Sequence, residues 1–223
     1  MSDKFFTLKY RFSSRLDYDD MDRYITTYKV KIYEEAYDRE GKLLIGKVTV
    51  KILLACLICD EEFSLAQVLD TAQDVSNIGE MIFDGETEEL NEDIQKFYDY
   101  GIGHADVCLL TRIEIRESHR RRGIGKKVVK DIFNRFKASC GLFVVQAFPL
   151  QFESRIERGS FGALPKWSEK MNFSSLENDF EKAFYQLKAF YQKIGFDHID
   201  GYNELMFLNS ALLNDKMDQI LLE

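Results

Sequence analysis

VCLLTRIEIRESHRRRGIGKKVVKDIFNRF, residues 107–136, carries three structural signals in unbroken succession. From Val107 to Ile115 the residues are β-branched and apolar. A period of two sets Leu109, Thr111, Ile113 and Ile115 on one face and Leu110, Arg112 and Glu114 on the other. After Gly125, residues Val128, Val129, Ile132, Phe133 and Phe136 recur at spacings of three and four, with Lys126, Lys127, Lys130, Asp131 and Arg135 between them. That spacing predicts an amphipathic helix with one buried face. Next comes Gly141–Phe148, GLFVVQAF, the continuous apolar run of a parallel strand buried on both sides. Strand, helix and strand make a βαβ unit.

The joint between the first strand and its helix reads Arg120-Arg121-Arg122-Gly123-Ile124-Gly125-Lys126. Glycine at 123 and 125 lets the backbone turn sharply. It also lets a bulky anion approach the peptide N–H groups left unpaired in a first helical turn. The helix dipole and the basic side chains add positive potential at the same spot, so a pyrophosphate is the natural occupant. Neither G-x-x-x-x-G-K-[ST] nor G-x-G-x-x-G is complete, which weakens nucleoside triphosphate and dinucleotide readings. A basic turn without a ligand is the alternative.

Arg120-x-x-Gly123-x-Gly125, between strand and helix, resembles the acetyl-CoA pyrophosphate loop of the GNAT superfamily of N-acetyltransferases. Ala189-Phe190-Tyr191-Gln192-Lys193-Ile194-Gly195-Phe196 resembles that family's later signature, in which a helix bearing a tyrosine ends at a glycine and an aromatic opens the next strand. The local chemistry agrees, because Phe184, Leu187, Phe190 and Tyr191 form a helical stripe and Gly195 suits the left-handed position after a last turn. The resemblance implies an α/β (α+β) fold with a mixed, mostly antiparallel sheet flanked by helices. It also implies a parallel strand pair that splays apart to admit the pantetheine arm.

The cofactor implied is acetyl-CoA (coenzyme A). The backbone around Ile113, Glu114 and Ile115 would hold its pantetheine, and Arg120, Arg121, Arg122, Gly123, Ile124, Gly125 and Lys126 would grip its pyrophosphate. Tyr191 stands where the family has its general acid, and a phenol with a pKa of about 10 stays protonated at neutral pH. Its alternative is a core tyrosine. Glu114 is the candidate base, acting through water, and an exposed strand carboxylate paired with Arg112 or Arg116 is the plainer account. His119 is expected to flank the cofactor phosphates. Phe184 stands where many members have asparagine, and Leu109, Leu110 and Thr111 stand where they often have a glutamate.

Toward the N-terminus, Tyr24–Tyr37 and Leu43–Ile58 are two β-rich stretches joined by a hairpin loop, Asp38-Arg39-Glu40-Gly41. A helical insertion follows at about 62–100, with one helix opening at Ser64 as N-cap and another at Leu90–Tyr98. Gly101-Ile102-Gly103-His104 reads as a loop entering the central strand. Cys56-x-x-Cys59 invites a metal or redox reading, but a strand would send the two thiols to opposite faces, so buried free thiols are expected. Toward the C-terminus a second insertion spans about 149–180, in which Phe148, Phe152, Phe161 and Trp167 either line an acceptor pocket or pack in the core. Asn203–Leu208 reads as a strand and Ser210–Leu222 as a terminal helix.

The 223 residues are 45% hydrophobic and 30% charged with a net charge of −8, which fits a single domain with insertions and argues against nucleic-acid or membrane partners. The acidic run Asp17–Asp22 reads as a solvated segment. No apolar run is long enough for a membrane span or a signal core, so the expected location is cytoplasmic. The reading is therefore an acyltransferase acting on a primary amine of a small molecule, peptide or protein, and a homodimer is compatible with it. A catalytically silent CoA-binding sensor or interaction module is the second reading, and a nucleic-acid binder the third.

Overall fold

The computed structural model describes residues 4–13, 21–36, 39–61, 63–153 and 166–222. Six strands form one sheet in sequential order: β1 (Lys4–Arg11), β2 (Ile25–Ala36), β3 (Arg39–Leu53), β4 (Val107–Ile115), β5 (Leu142–Gln146) and β6 (Leu205–Asn209). Every neighbouring pair is antiparallel except β4 and β5. This is the mixed, mostly antiparallel sheet with one parallel pair that the resemblance implied. The acidic run Asp17–Asp22 lies outside the described residues through Asp20, as do Phe161 and the hairpin residue Asp38.

The helix of the opening stretch, here α5 (Ile124–Phe136), buries Val128, Val129, Ile132, Phe133 and Phe136 as its spacing requires. They join one apolar layer with Cys108 and Leu110 of β4, Phe143 and Val145 of β5, and Tyr191. The opposite faces of the same two strands, Val107, Leu109, Leu142 and Val144, meet a second layer. Four short helices cover that side: α1 (Ala55–Asp60), α2 (Leu65–Leu69), α3 (Gln73–Ile82) and α4 (Glu92–Phe97). These four helices thus supply the cover that makes a two-faced parallel pair stable.

Strict alternation along β4 is corrected by the pairing. Val50 faces Leu110 and Thr49 faces Arg112, which leaves Thr111 as an extra residue on β4. A β-bulge of one residue resets the alternation. Leu110 therefore shares the α5 side with Ile113 and Ile115, whereas Leu109 packs on the other side.

Other expectations shift as well. Lys4–Arg11 is an edge strand that the sequence pattern did not mark. Leu43–Ile58 is not all strand, because β3 ends at Leu53 and α1 begins at Ala55. Ser64 precedes α2, but its hydroxyl donates to Glu88 at 2.8 Å instead of capping the helix. The terminal helix shrinks to α8 (Asp215–Asp218).

The remaining helices are α6 (Lys166–Met171) and α7 (Phe180–Lys193). Asp179 caps α7 by accepting from the Lys182 amide at 3.0 Å. At the other end the amide of Phe196 reaches the Tyr191 carbonyl at 3.0 Å and that of Gly195 reaches Gln192 at 3.2 Å, the paired bonds of a Schellman turn. Gly195 sits there at φ +103°, and Asn214 occupies the space a Cβ would need. Asn214 itself donates to the Gly195 carbonyl at 2.9 Å and accepts from the Met217 amide at 2.9 Å. Gly195→Ala combines backbone strain with the displacement of this side chain, so a loss of about 2 kcal/mol or more is expected in urea unfolding at an unchanged slope.

Candidate functional site

The parallel ladder between β4 and β5 runs from Val107↔Leu142 to Leu110↔Val145 and ends there. Beyond it β4 bends at the Thr111 bulge and stays with β3, while Gln146 of β5 pairs with Leu205. On the side of β4 away from β3, the edge from Thr111 onward therefore has no strand beside it among the described residues. A cleft of about 710 Å³ opens in the gap, and its walls include Thr111, Ile113 and Ile115 of β4, Gln146 and Phe148 after β5, and Leu187, Phe190 and Tyr191 of α7.

At its far end the cleft meets the start of α5. Gly123, at φ 76° and ψ −1°, is the residue before the helix, and Arg121 also adopts a left-handed conformation at φ 59°. The first amide of this turn to find a partner is that of Lys127, bonded to the Gly123 carbonyl at 3.3 Å. Those of Arg121 to Lys126 have no hydrogen-bond partner among the described residues. Two left-handed residues this close to a helix start turn successive N–H groups toward one concave side, a shape suited to an anion. Gly125 lies close below, where a Cβ would sit 3.4 Å from the Phe190 ring and 3.6 Å from Ile115.

The basic side chains divide their labour. Arg120, Arg121 and Lys126 line the cleft, together with Gly123, Ile124 and Gly125. Arg120 is spoken for: its Nε donates to the Ile115 carbonyl at 2.9 Å, Nη1 to Ser175 Oγ at 3.3 Å, and Nη2 to the Met171 carbonyl. It rivets the end of β4 to the segment after α6, and burial pushes its pKa down. Arg122 is not among the lining residues and stands 3.6 Å from Glu34, with its guanidinium 5.9 Å from the Phe6 ring. His119 lines the cleft with its imidazole 2.8 Å from Ser118 Oγ and 3.5 Å from Glu34. Burial alone would raise the Glu34 carboxyl, but Lys4 at 3.0 Å and His119 outweigh it and hold it below the usual carboxylate range.

Of the two candidate catalytic residues, the structure brings one to the cleft. Tyr191, 5% exposed, lies in the last turn of α7, and its hydroxyl has no hydrogen-bond partner among the described residues. Burial drives its pKa well above that of a free phenol, so it remains a proton donor throughout the neutral range. Glu114 lies elsewhere. It is buried on the other face of β4, accepting from Arg112 Nε at 2.7 Å and from Trp167 Nε1 at 2.6 Å. Arg112 in turn donates to Glu153 at 2.6 Å, and Lys47 stacks over the Trp167 ring at 4.4 Å.

The expected pairing of Glu114 with Arg112 is present, but its expected exposure is not. The Thr111 bulge turned this carboxylate away from the gap. Glu177 is the carboxylate that does line the cleft, just before α7, and its Oε1 accepts from the Asp179 amide at 3.1 Å. Nothing in its sequence context marks it, since position 177 meets the cleft only through the path of the chain after α6. Phe148 lines the cleft, Phe152 packs on Phe180 at a ring distance of 5.2 Å, and Trp167 serves Glu114.

Among the described residues no helix is long and apolar enough to cross a membrane. No family model and no curated protein matches the chain. A solved structure described as the KacTA–DNA complex aligns over 96% of this chain and 97% of its own, at 13% identity and a TM-score of 0.40. DNA is the partner in that complex, and at this similarity the match carries no argument for the present chain.

Proposed function

We propose that the cleft binds acetyl-CoA and that the protein transfers the acetyl group to a primary amine by direct attack in a ternary complex. One observation carries the reading: among the described residues, a strand edge left without a ladder partner and the free amides at the start of α5 border the same cleft. The first is what an extended pantetheine amide chain needs, and the second is what its diphosphate needs. Arg121 and Lys126 supply positive charge beside those amides. Ile113 and Ile115, with Ile124 and Gly125, line the passage between the two. Tyr191 stands along the same passage as a neutral donor for the departing thiolate.

The acceptor amine must be neutral to attack and must lose a proton afterwards. With Glu114 turned away, Glu177 and His119 are the lining groups able to take a proton through water. Glu177 accepts from the Asp179 amide and His119 faces Ser118 and Glu34, so each is engaged with neighbouring protein groups. That observation favours the second reading, a CoA-binding module without turnover.

Calorimetry with CoA and acetyl-CoA, followed by thiol release from acetyl-CoA over a panel of amines, distinguishes the two. Binding with amine-dependent release supports the transferase. Binding without release supports the silent module. Absence of heat from either nucleotide removes both.

A further inference from the structure

On the opposite side of the sheet from the CoA cleft, α1 places Cys56 and Cys59 three residues apart on a helix, so the two thiols share a face rather than alternating across a strand. Both line a pocket of about 810 Å³ that shares no residue with the cleft. His104, from the loop entering β4, reaches the same pocket. The donor atoms of Cys56, His104 and Asp106 all lie within 4.8 Å of one another. We propose that these three residues bind a zinc-class divalent ion, with its fourth position open to the pocket.

The detailed geometry separates an ion site from a catalytic relay. In a Cys–His–Asp relay the thiol and the carboxylate address different ring nitrogens. Here Cys56 Sγ at 3.9 Å and Asp106 Oδ2 at 3.7 Å both face His104 Nδ1. Convergence on one lone pair is what a cation requires. Tetrahedral zinc, with bonds of about 2.3 Å to sulfur and 2.0–2.1 Å to nitrogen or oxygen, sets its donors roughly 3.3–3.5 Å apart. The two spacings to Nδ1 exceed that by under half an ångström, and all three donors lie within 4.8 Å of one another.

The protonation state is also suitable. The Asp106 amide donates to Nδ1 at 3.2 Å, and an N–H donor can meet only an unprotonated nitrogen. That long bond yields when the ion takes the lone pair. Sulfur, imidazole and carboxylate together suit zinc rather than magnesium or calcium. Binding releases the Cys56 thiol proton to solvent.

The ligands are held in place before any ion arrives. Asp106 is 7% exposed, and its Oδ1 accepts from the Cys56 amide at 2.8 Å. Its carbonyl accepts from Gly141 at 3.0 Å, and the His104 backbone packs so tightly on Gly141 that no Cβ fits there. The Gly101 carbonyl accepts from Asn209 Nδ2 at 3.2 Å, which pins the start of the loop.

The test is titration of the full chain, stripped with chelator, with Co²⁺ and then Zn²⁺. The expected result is one equivalent of Co²⁺ bearing a thiolate charge-transfer band, displaced by Zn²⁺. Cys56→Ser should abolish the band, and His104→Ala and Asp106→Asn should each weaken Zn²⁺ binding by about 100-fold or more. Asp106→Asn keeps an oxygen for the Cys56 amide, so its circular dichroism should match the parent protein. Cys59→Ser should bind as the parent does. Cobalt bound without the band, unchanged affinity in Cys56→Ser, or loss confined to Cys59→Ser would each overturn the assignment. None of these readouts involves CoA.

Discussion

Gly123→Glu is expected to reduce CoA affinity by at least about 100-fold while the protein stays folded. A carboxylate about 4 Å from a diphosphate oxygen repels it by roughly 4 kcal/mol at an effective dielectric near 20, more than enough for that loss. The fold should survive, because the only contact a Cβ meets at 123 is the flexible end of Lys126 at 3.3 Å. Left-handed strain on a non-glycine residue costs about 1–2 kcal/mol. Gly201→Glu is the matched control. Gly201 also has a positive φ, +92°, with nothing within 4 Å, and it does not line the cleft. Calorimetry should show a loss of CoA binding in the first variant and none in the second, and equal losses would move the diphosphate site elsewhere.

Tyr191→Phe is expected to lower kcat by about 100-fold, the usual contribution of a positioned acid, with KM for acetyl-CoA unchanged. Stability provides a second, independent sign. The hydroxyl makes no hydrogen bond among the described residues and is not among the buried unpartnered polar atoms, so its removal takes no bond from the fold and should leave the thermal midpoint unchanged. A slower enzyme that is no less stable would assign the hydroxyl to chemistry. An unchanged rate would assign it to packing against Phe190 and Phe196, whose rings lie 5.1 and 5.6 Å away. Because burial raises the phenol pKa, the acid form persists as pH rises past neutrality, so any alkaline loss of activity must come from another group.

The βαβ unit and the turn at Gly123 were legible in the sequence because each is written locally: a change of period from two to 3.6, with glycine where φ must be positive. The helix ending at Gly195 was legible for the same reason. What escaped depended on partners far along the chain. KFFTLKYR is a strand because β2 lies beside it, and nothing within those eight residues decides the matter. LACLI continues the apolar run of β3 without a break, so the start of α1 at Ala55 leaves no mark in the pattern. Glu114 was the costliest case. Its neighbours suggest an exposed residue, yet Trp167, more than fifty positions later, bonds it in a buried place.

The extra residue in β4 has a consequence that reaches past its own position. Removing Thr111 would restore simple alternation with both sets left where they are, Ile113 and Ile115 in the apolar layer under α5 and Arg112 and Glu114 away from it. What the deletion would remove is the bend that carries the end of β4 away from β5, so the loss of one polar residue would narrow the gap while every neighbouring side chain kept its face.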